Sequence, residues 1–180
     1  MGRYVGLFSG CSVGRWHILI VVTLGTQRFQ MNRLIEKMDN IAAELTEEVF
    51  IQTGNSTYLP QHCQYKDFVD AEALQQMIRD CSVLVTHAGV GTIMRGISEK
   101  KPVVVVPRLA VYHEHVDDHQ VQIAEAFSRK QCVLQCNDLE QLALIIEQAR
   151  TFTFQPYAAP ESKIEDIILE YIDKQVKAKE

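Results

Sequence analysis

The chain has 180 residues, of which 47% are hydrophobic and 23% charged, enough for one well-packed domain and too few for two of ordinary size. A net charge of −5 argues against strong electrostatic attachment to nucleic acid or to an anionic membrane surface. The five cysteines are widely spaced and form no CxxC pair, which indicates neither a disulfide framework nor a zinc site and favours a reducing, cytoplasmic location.

The first elements of the chain are an arm, a strand and a helix. Residues 1–16 match no recognisable pattern, and we interpret them as an N-terminal arm of unknown role. The β-branched run HILIVVTL (17–24) ends at Gly25 and predicts a strand that is buried on both faces. An apolar stripe at helical spacing between residues 34 and 45 then predicts an amphipathic helix.

Strands and helices continue to alternate along the rest of the chain. A short strand, VFIQT (49–53), and an extended stretch at 64–69 precede a helix that Asp70 begins as a capping residue. Further strands are predicted at 82–87, 102–106 and 132–135, and further helices at 92–99, 118–129 and 139–149.

This alternation predicts the fold class. Parallel strands joined by helical crossovers make a single Rossmann-like α/β domain, which we place at residues 17–153. After it, PYAAPES is typical of a linker, and an apolar stripe from Ile164 to Ile172 predicts a last amphipathic helix, so residues 154–180 form a linker and C-terminal helix. That stripe could pack on its own domain or on a partner protein.

Candidate binding residues lie in the loops that follow strands, because parallel sheets of this type bind ligands at the carboxyl ends of their strands. In the first loop Gly25 permits close backbone approach and Thr26 offers a hydroxyl group, although a glycine that ends a strand is more often only a turn. In the second loop, two glycines at a helix start expose N–H groups and the positive end of the helix dipole, which favour a diphosphate. This loop comprises His87, Ala88, Gly89, Val90, Gly91 and Thr92.

The second and third loops each allow more than one interpretation. The second loop is neither GxGxxG nor a P-loop, and His87 could equally be a strand-end residue bonded to backbone. The third loop, residues 113–120, is rich in polar side chains that could bind sugar hydroxyls, bind a metal or remain solvated. His115 and His119 have the spacing of a helical metal pair, but the HExxH order is absent.

Four segments together carry a resemblance to a known family: VTLGT (22–26), FVDAEALQQMIRDCSVLVTHAGVGTIM (68–94), KKPVVVVPR (100–108) and DDHQVQIAEAF (117–127). In these segments the chain resembles the C-terminal, donor-binding domain of family 28 glycosyltransferases of the GT-B fold. It is most similar to the free-standing type, as in the two-subunit UDP-GlcNAc transferase of the dolichol pathway and in bacterial capsule and exopolysaccharide galactosyl- or glucuronosyltransferases.

The resemblance implies roles for individual residues. It implies that Gly25 and Thr26 face the donor phosphates, that Phe68 and Val69 lie against the uracil, and that residues 87–92 cradle the diphosphate. It further implies contacts with the sugar hydroxyls from Asp118, His119 and Gln120.

One departure from the family pattern concerns the ribose. Arg95 stands where the family usually has a ribose-binding carboxylate, and Lys100 stands where a turn glycine is common. Either Glu99 reaches the ribose instead, or Arg95 pairs with a phosphate or a carboxylate-bearing sugar, or donor binding is impaired.

The resemblance implies a donor-binding, catalytic subunit of a two-component, inverting UDP-sugar transferase. Such an enzyme transfers galactose, GlcNAc or glucuronate to a lipid-linked glycan, needs no metal or other cofactor, and meets the inner face of the membrane through a membrane-anchored, acceptor-binding partner. His87 could contribute to catalysis, although the base is expected on the partner. The alternative is a non-catalytic companion with a decayed donor site; a dinucleotide oxidoreductase is disfavoured because GxGxxG is absent.

Overall fold

The computed structural model describes residues 19–157, which form a six-stranded sheet with helices on both faces. The strands are β1 (Leu19–Thr23), β2 (Glu48–Gln52), β3 (Gln64–Lys66), β4 (Val83–Thr86), β5 (Val103–Val105) and β6 (Leu134–Gln135). The helices are α1 (Asn32–Ala42), α2 (Ala71–Asp80), α3 (Val90–Ser98), α4 (His119–Arg129) and α5 (Leu142–Thr151), with short 3-10 turns at Ala110–Tyr112 and Leu139–Gln141.

All neighbouring strands are parallel, in the order β3-β2-β1-β4-β5-β6. From Leu19 the described chain therefore runs from the middle of the sheet to one edge through β2 and β3, and then to the other edge through β4, β5 and β6. The direction changes between β1 and β4, and a crevice opens at such a point beyond the carboxyl ends of the strands. This architecture confirms the predicted Rossmann-like class.

The core consists of two apolar layers, one on each face of the sheet. Ile20 and Val22 of β1 pack in the layer shared with α1 and α5, whereas Val21 packs in the layer shared with α2, α3 and α4. Successive side chains of a strand point to opposite faces, so a central strand needs apolar residues at every position. The unbroken apolar run that begins the domain is explained by this two-sided burial.

Several element boundaries differ from those predicted. Helix α3 begins two residues earlier, at Val90, and β6 is reduced to Leu134–Gln135. The amide of Cys132 donates to the Phe127 carbonyl at 3.2 Å, so this residue closes the end of α4 instead of extending the strand. The predicted C-terminal helix and the N-terminal arm lie outside the described residues.

Side chains cap two helical segments, and the cap at Asp70 was predicted. A side-chain oxygen of Asp70 accepts a hydrogen bond from the Ala73 amide at 2.8 Å at the start of α2. Asp138 accepts one from the Glu140 amide at 3.0 Å, before the short turn that leads into α5. Each bond satisfies a donor that the first turn of a helix leaves without a partner.

The end of α3 places Lys100 in a conformation that favours glycine. Its φ is 54°, its amide donates to the Ile97 carbonyl at 2.9 Å, and the Lys101 amide donates to the Gly96 carbonyl at 3.0 Å. These two bonds form a Schellman motif, in which glycine is usual at the left-handed position. The family glycine expected at this position therefore has a structural explanation.

We expect Lys100→Gly to stabilise the domain. A residue other than glycine in the left-handed region costs about 1 kcal/mol, and the substitution relieves this strain. Part of the gain is offset, because glycine has more backbone freedom to lose when the chain folds. The free energy of unfolding from urea titration should therefore rise by a few tenths to about 1 kcal/mol. The control is Lys101→Gly, because Lys101 is outside the positive-φ residues and the same change should lower stability there. Equal effects of the two variants would contradict this assignment.

Candidate functional site

The candidate site lies at the carboxyl ends of β1 and β4, where the loops after β1, β4 and β5 meet. The Thr86 hydroxyl donates to the Thr23 carbonyl at 3.0 Å and so joins the ends of the two strands. Gly25, directly after β1, has a φ of 72°, which L side chains rarely adopt. The sequence therefore predicted correctly that the glycine loops after β1 and β4 share one edge of the sheet.

The imidazole of His87 occupies the space between these two glycine loops. A Cβ atom built on Gly25 would stand 2.7 Å from His87 Cε1, and one built on Gly89 would stand 2.8 Å from the same atom. Gly89 has a φ of −79°, which any residue can adopt, so the requirement for glycine there is one of space. His87 is only 6% exposed. The ring is thus a packing element shared by the first and second loops.

The surroundings of His87 keep its imidazole neutral. Burial, and then the charge of the nearby Arg108 guanidinium, lower the pKa of His87 to about 4, although the Thr23 carbonyl opposes the shift. A neutral ring can accept a proton, but this ring packs against two backbones inside the protein. The geometry supports a role in positioning the loops, and the predicted catalytic role of His87 remains a prediction.

We expect His87 to decrease the free energy of unfolding as the pH is lowered from about 6.5 to about 4. Because its folded pKa is below the unfolded value, the unfolded chain takes up the proton first, so the stabilisation is complete above 6.5 and is lost as the pH falls towards 4. The slope is at most about 1.4 kcal/mol per pH unit. An NMR titration of the His87 ring should give a midpoint near 4. A midpoint near 6.5 would show that the ring is exposed.

At the start of α3 two backbone N–H groups have no hydrogen-bond acceptor among residues 19–157. Gly89 precedes the helix and provides no side-chain cap, and no acceptor among residues 19–157 receives the amide protons of Val90 and Gly91. A Cβ atom built on Gly91 would have no atom of these residues within 4 Å apart from its chain neighbours and the backbone of its own helix, so open space lies at this position. Unpaired N–H groups and the positive end of a helix dipole beside an open space are suited to a phosphate group.

The third loop is fixed to the second by Gln120. Its side-chain oxygen accepts hydrogen bonds from the Ala88 amide at 3.2 Å and the Arg108 amide at 3.1 Å. Asp118 accepts a bond from the Ala110 amide at 2.8 Å, and His119 Nδ1 lies 3.2 Å from the side-chain oxygen of Gln122. Gln120 and Asp118 therefore hold the loop in place, whereas His119 contacts Gln122 within α4.

Two more predicted contacts lie on the side of β3. Phe68 is 44% exposed, and the Val69 amide donates to the side-chain oxygen of Gln52 at 3.2 Å. Gln52 in turn donates to the Thr23 hydroxyl at 3.1 Å, so this buried amide connects the loop after β3 to the end of β1. The structure thus places Phe68 and Val69 at the same edge of the sheet as the glycine loops.

The structure does not favour Glu99 as a substitute ribose ligand. Its carboxylate accepts bonds from Arg79 and Gln75 of α2, which also lower its pKa. It follows the last turn of α3, roughly 13 Å along the helix from the open N-terminus. Arg95 is exposed, and its guanidinium has no partner among residues 19–157. Arg95 is therefore the side chain that is available to a ligand.

A buried arginine that sequence reasoning missed stabilises the first and third loops. Arg108, directly after the apolar run of β5, is 1% exposed. Its guanidinium donates to the Leu24 carbonyl at 2.8 Å and to three further carbonyls at 3.0 to 3.2 Å, those of Phe29, Gln30 and Glu114. Four backbone acceptors from two loops thus share one buried cation.

Glu114 completes this network. Its carboxylate, 3% exposed, accepts two bonds from Arg33 of α1 at 2.7 and 2.8 Å and one from the Leu109 amide at 3.1 Å. On the solvent side of this pair lies a cleft of about 470 Å³ whose wall includes Tyr112 and Asn137. The Arg33 guanidinium lies over the Tyr112 ring at 5.0 Å. The inner side of the third loop is therefore held by hydrogen bonds of Glu114, and its outer side borders the cleft.

Metal-binding clusters and membrane-spanning helices are both absent from residues 19–157. No three His, Cys, Asp or Glu side chains in this part converge to hold a metal ion, and none of its helices is long and apolar enough to cross a membrane. The four cysteines in this range, at positions 63, 81, 132 and 136, are unpaired thiols.

The fold is that of the Rossmann-like half found in GT-B glycosyltransferases. Solved structures with this fold include the glycotransferase of kitacinnamycin, at 16% identity and a TM-score of 0.58 over 84% of this chain and 39% of that one. MurG of Acinetobacter baumannii matches at 16% identity and a TM-score of 0.52 over 91% of this chain and 51% of its own. The spinosyn forosaminyltransferase SpnP matches at 16% and 0.56, over 82% and 40%.

The particular family follows from the sequence match. Residues 19–172 match the glycosyltransferase family 28 C-terminal domain, and the chain belongs to this family. Among curated proteins no significant sequence match is found. The chain spans 39% to 51% of the length of the three glycosyltransferase structures above.

Proposed function

We propose that the chain is the donor-binding subunit of a two-component glycosyltransferase that uses a UDP-sugar. The observation that carries the proposal is the start of α3, where two amides without acceptors adjoin the open space at Gly91. A diphosphate placed there accepts both amide protons and lies at the positive end of the helix. Membership of family 28 supports a sugar nucleotide as the source of that diphosphate.

In the proposed reaction a hydroxyl of a lipid-linked glycan attacks the anomeric carbon of the donor hexose and displaces UDP with inversion. Negative charge develops on the departing diphosphate, and the amides of Val90 and Gly91 stabilise it without a metal ion. The acceptor and the base that removes its proton belong to a membrane-anchored partner that supplies the other half of the GT-B cleft. Galactose, GlcNAc and glucuronate are the candidate sugars.

The first experiment is calorimetric titration of the folded chain with UDP, UDP-galactose, UDP-GlcNAc and UDP-glucuronate. We expect UDP to bind and the preferred UDP-sugar to bind more tightly than UDP. NAD should give no binding heat. Bound UDP should also raise the free energy of unfolding, by about 2.7 kcal/mol when its concentration is 100 times Kd.

A companion subunit with a decayed donor site is the second candidate, and Arg95 is the observation that favours it. The exposed guanidinium stands where the family has a ribose-binding carboxylate. Absence of UDP binding to the folded chain, both alone and with its partner, would establish the companion role. Binding that Arg95→Glu strengthens would instead show a working site weakened by the arginine.

A further inference from the structure

A polar cleft lies beside the candidate site, on the outer side of the third loop. Its volume of about 470 Å³ is within the range of about 300–1,000 Å³ that is typical of small-molecule sites. Its polar lining comes from segments that follow the carboxyl ends of β1, β5 and β6, namely Gln30, Arg33, Tyr112, Glu114, Asn137 and Asp138. The cleft therefore lies at the same edge of the sheet as the donor loops, but none of the residues 87–92 lines it.

The protein holds the polar side chains of this cleft in place. Arg33 donates two hydrogen bonds to the Glu114 carboxylate, at 2.7 and 2.8 Å, and a third to the Pro107 carbonyl at 2.7 Å. The side-chain oxygen of Asn137 accepts a bond from the Gln135 amide group at 2.7 Å. Side chains that are already ordered lose little conformational entropy when a ligand binds, so this wall is prepared for binding.

Several polar atoms of the wall have no hydrogen-bond partner among residues 19–157. The donors are Arg33 Nη1, Gln30 Nε2 and Asn137 Nδ2. Asp138 uses one carboxylate oxygen for the Glu140 amide, at 3.0 Å, and its other oxygen is a free acceptor. A hydroxyl group both donates and accepts, so a wall that combines donors with acceptors is suited to a ligand with several hydroxyls.

Tyr112 adds a flat aromatic surface to this wall. The residue is 58% exposed, and the Arg33 guanidinium lies 5.0 Å from the centroid of its ring. The face of an aromatic ring carries partial negative charge, which attracts the weakly positive C–H groups of a sugar ring. An aromatic surface next to planar amide, carboxylate and guanidinium groups matches the two kinds of surface that a saccharide presents.

The charge of the cleft favours a neutral ligand over an anion. Arg33 is the only cation among the described residues that line it, and its charge is paired with the Glu114 carboxylate. Asp138 contributes a second carboxylate, so a phosphate group would meet more negative than positive charge. We propose that this cleft binds a neutral saccharide at a site separate from the donor loops. The further assignment of that saccharide to the acceptor glycan rests on the proposed function, whereas the binding itself does not.

NMR titration of the ¹⁵N-labelled full chain tests the proposal. The probes are the neutral disaccharides cellobiose, lactose and N,N′-diacetylchitobiose, together with inorganic phosphate. We expect at least one disaccharide to shift the amide signals of Tyr112, Asn137 and Asp138 and to saturate them with a Kd in the millimolar range. Phosphate at the same concentrations should leave these signals in place.

Tyr112→Ala removes the aromatic surface and should weaken disaccharide binding by about fivefold to tenfold. Tyr65→Ala is the matched control, because Tyr65 is also an exposed tyrosine but lies on β3, outside the cleft. It should leave the disaccharide Kd within a factor of two of the wild type. Asn137→Ala removes a free donor of the wall and should weaken binding several-fold. Circular dichroism checks that each variant is folded.

Three results would overturn the proposal. They are the absence of any shift with all three disaccharides, equal effects of Tyr112→Ala and Tyr65→Ala on the Kd, and shifts of the cleft signals by phosphate in place of the disaccharides. UDP binding is followed separately, from the amide signals of Val90 and Gly91. Loss of saccharide binding with UDP binding present would therefore refute the saccharide site alone, and the reverse result would refute the donor site alone.

Discussion

Gly91→Val should abolish UDP binding while leaving the domain as stable as before. The branched side chain would enter the open space beside the unpaired amides of Val90 and Gly91, where the proposed diphosphate lies. Apart from its chain neighbours and the backbone of its own helix, the added Cβ has no atom within 4 Å among residues 19–157, so the position can accept a side chain. Replacing a helical glycine by valine also offsets some strain, because glycine is the poorer helix former by roughly 0.3 kcal/mol.

Calorimetry and urea unfolding of the same protein sample separate these two effects. Ser98→Val makes a comparable change at the other end of α3, on an exposed position, and should leave UDP binding intact. UDP affinity within a factor of two of the wild type in Gly91→Val would show that the diphosphate does not occupy the space next to Gly91. An unfolded Gly91→Val protein would contradict the packing described here.

Arg108→Met should cause the largest loss of stability of any single change proposed here. The variant keeps an apolar side chain of similar length but removes the donors to four carbonyls of the loops after β1 and β5. It also removes a cation close to the buried Glu114 carboxylate. Loss of one partner from a buried charged network costs about 3–5 kcal/mol, and the unfolding free energy from urea titration should fall by that amount.

The matched control is Arg129→Met. Arg129 is exposed and pairs with Glu125 one helical turn away, and such a surface pair contributes little. If Arg108→Met lost no more stability than Arg129→Met, the buried arginine would not be holding the loops together. We also expect UDP binding to weaken in Arg108→Met, because the first loop, which contains Gly25, loses its support.

The sequence was sufficient for the fold because the evidence for it is local. The apolar run of β1 predicts a strand between two helix layers, and the helical spacing from Leu34 to Leu45 predicts α1. Boundaries were less predictable where tertiary contacts decide them. Cys132 and Val133 have strand-like side chains, yet the amide of Cys132 closes α4, and only two residues pair with β5.

The candidate site was predictable only in part. Its loop residues are recognisable in the sequence, whereas the hydrogen bonds that hold the loops depend on the folded structure. Glycines after strands are visible in the sequence, and so are the polar residues from His113 to Gln120. The Arg108 network was not, because the four carbonyls it binds belong to backbone at positions 24, 29, 30 and 114, whose meeting depends on the completed sheet. A cation directly after the apolar run of β5 was the available signal.

Sequence reasoning also could not assign the histidine. His87 looks the same in a sequence whether it is a base in a cleft or a spacer between two loops. The difference is the distance from its ring to Gly25, which is 62 positions away in the chain. Its position between two glycines became visible only when the loops after β1 and β4 were placed side by side.

The shared ring makes the residue types at positions 25, 87 and 89 depend on one another. A side chain added at Gly89 or at Gly25 would meet the same imidazole, so neither position can be enlarged unless the ring moves. Once a smaller residue replaces His87, the steric restriction at position 89 is removed, whereas the positive φ at position 25 still favours glycine. A larger residue at position 89 is therefore expected together with a smaller or repositioned side chain at position 87.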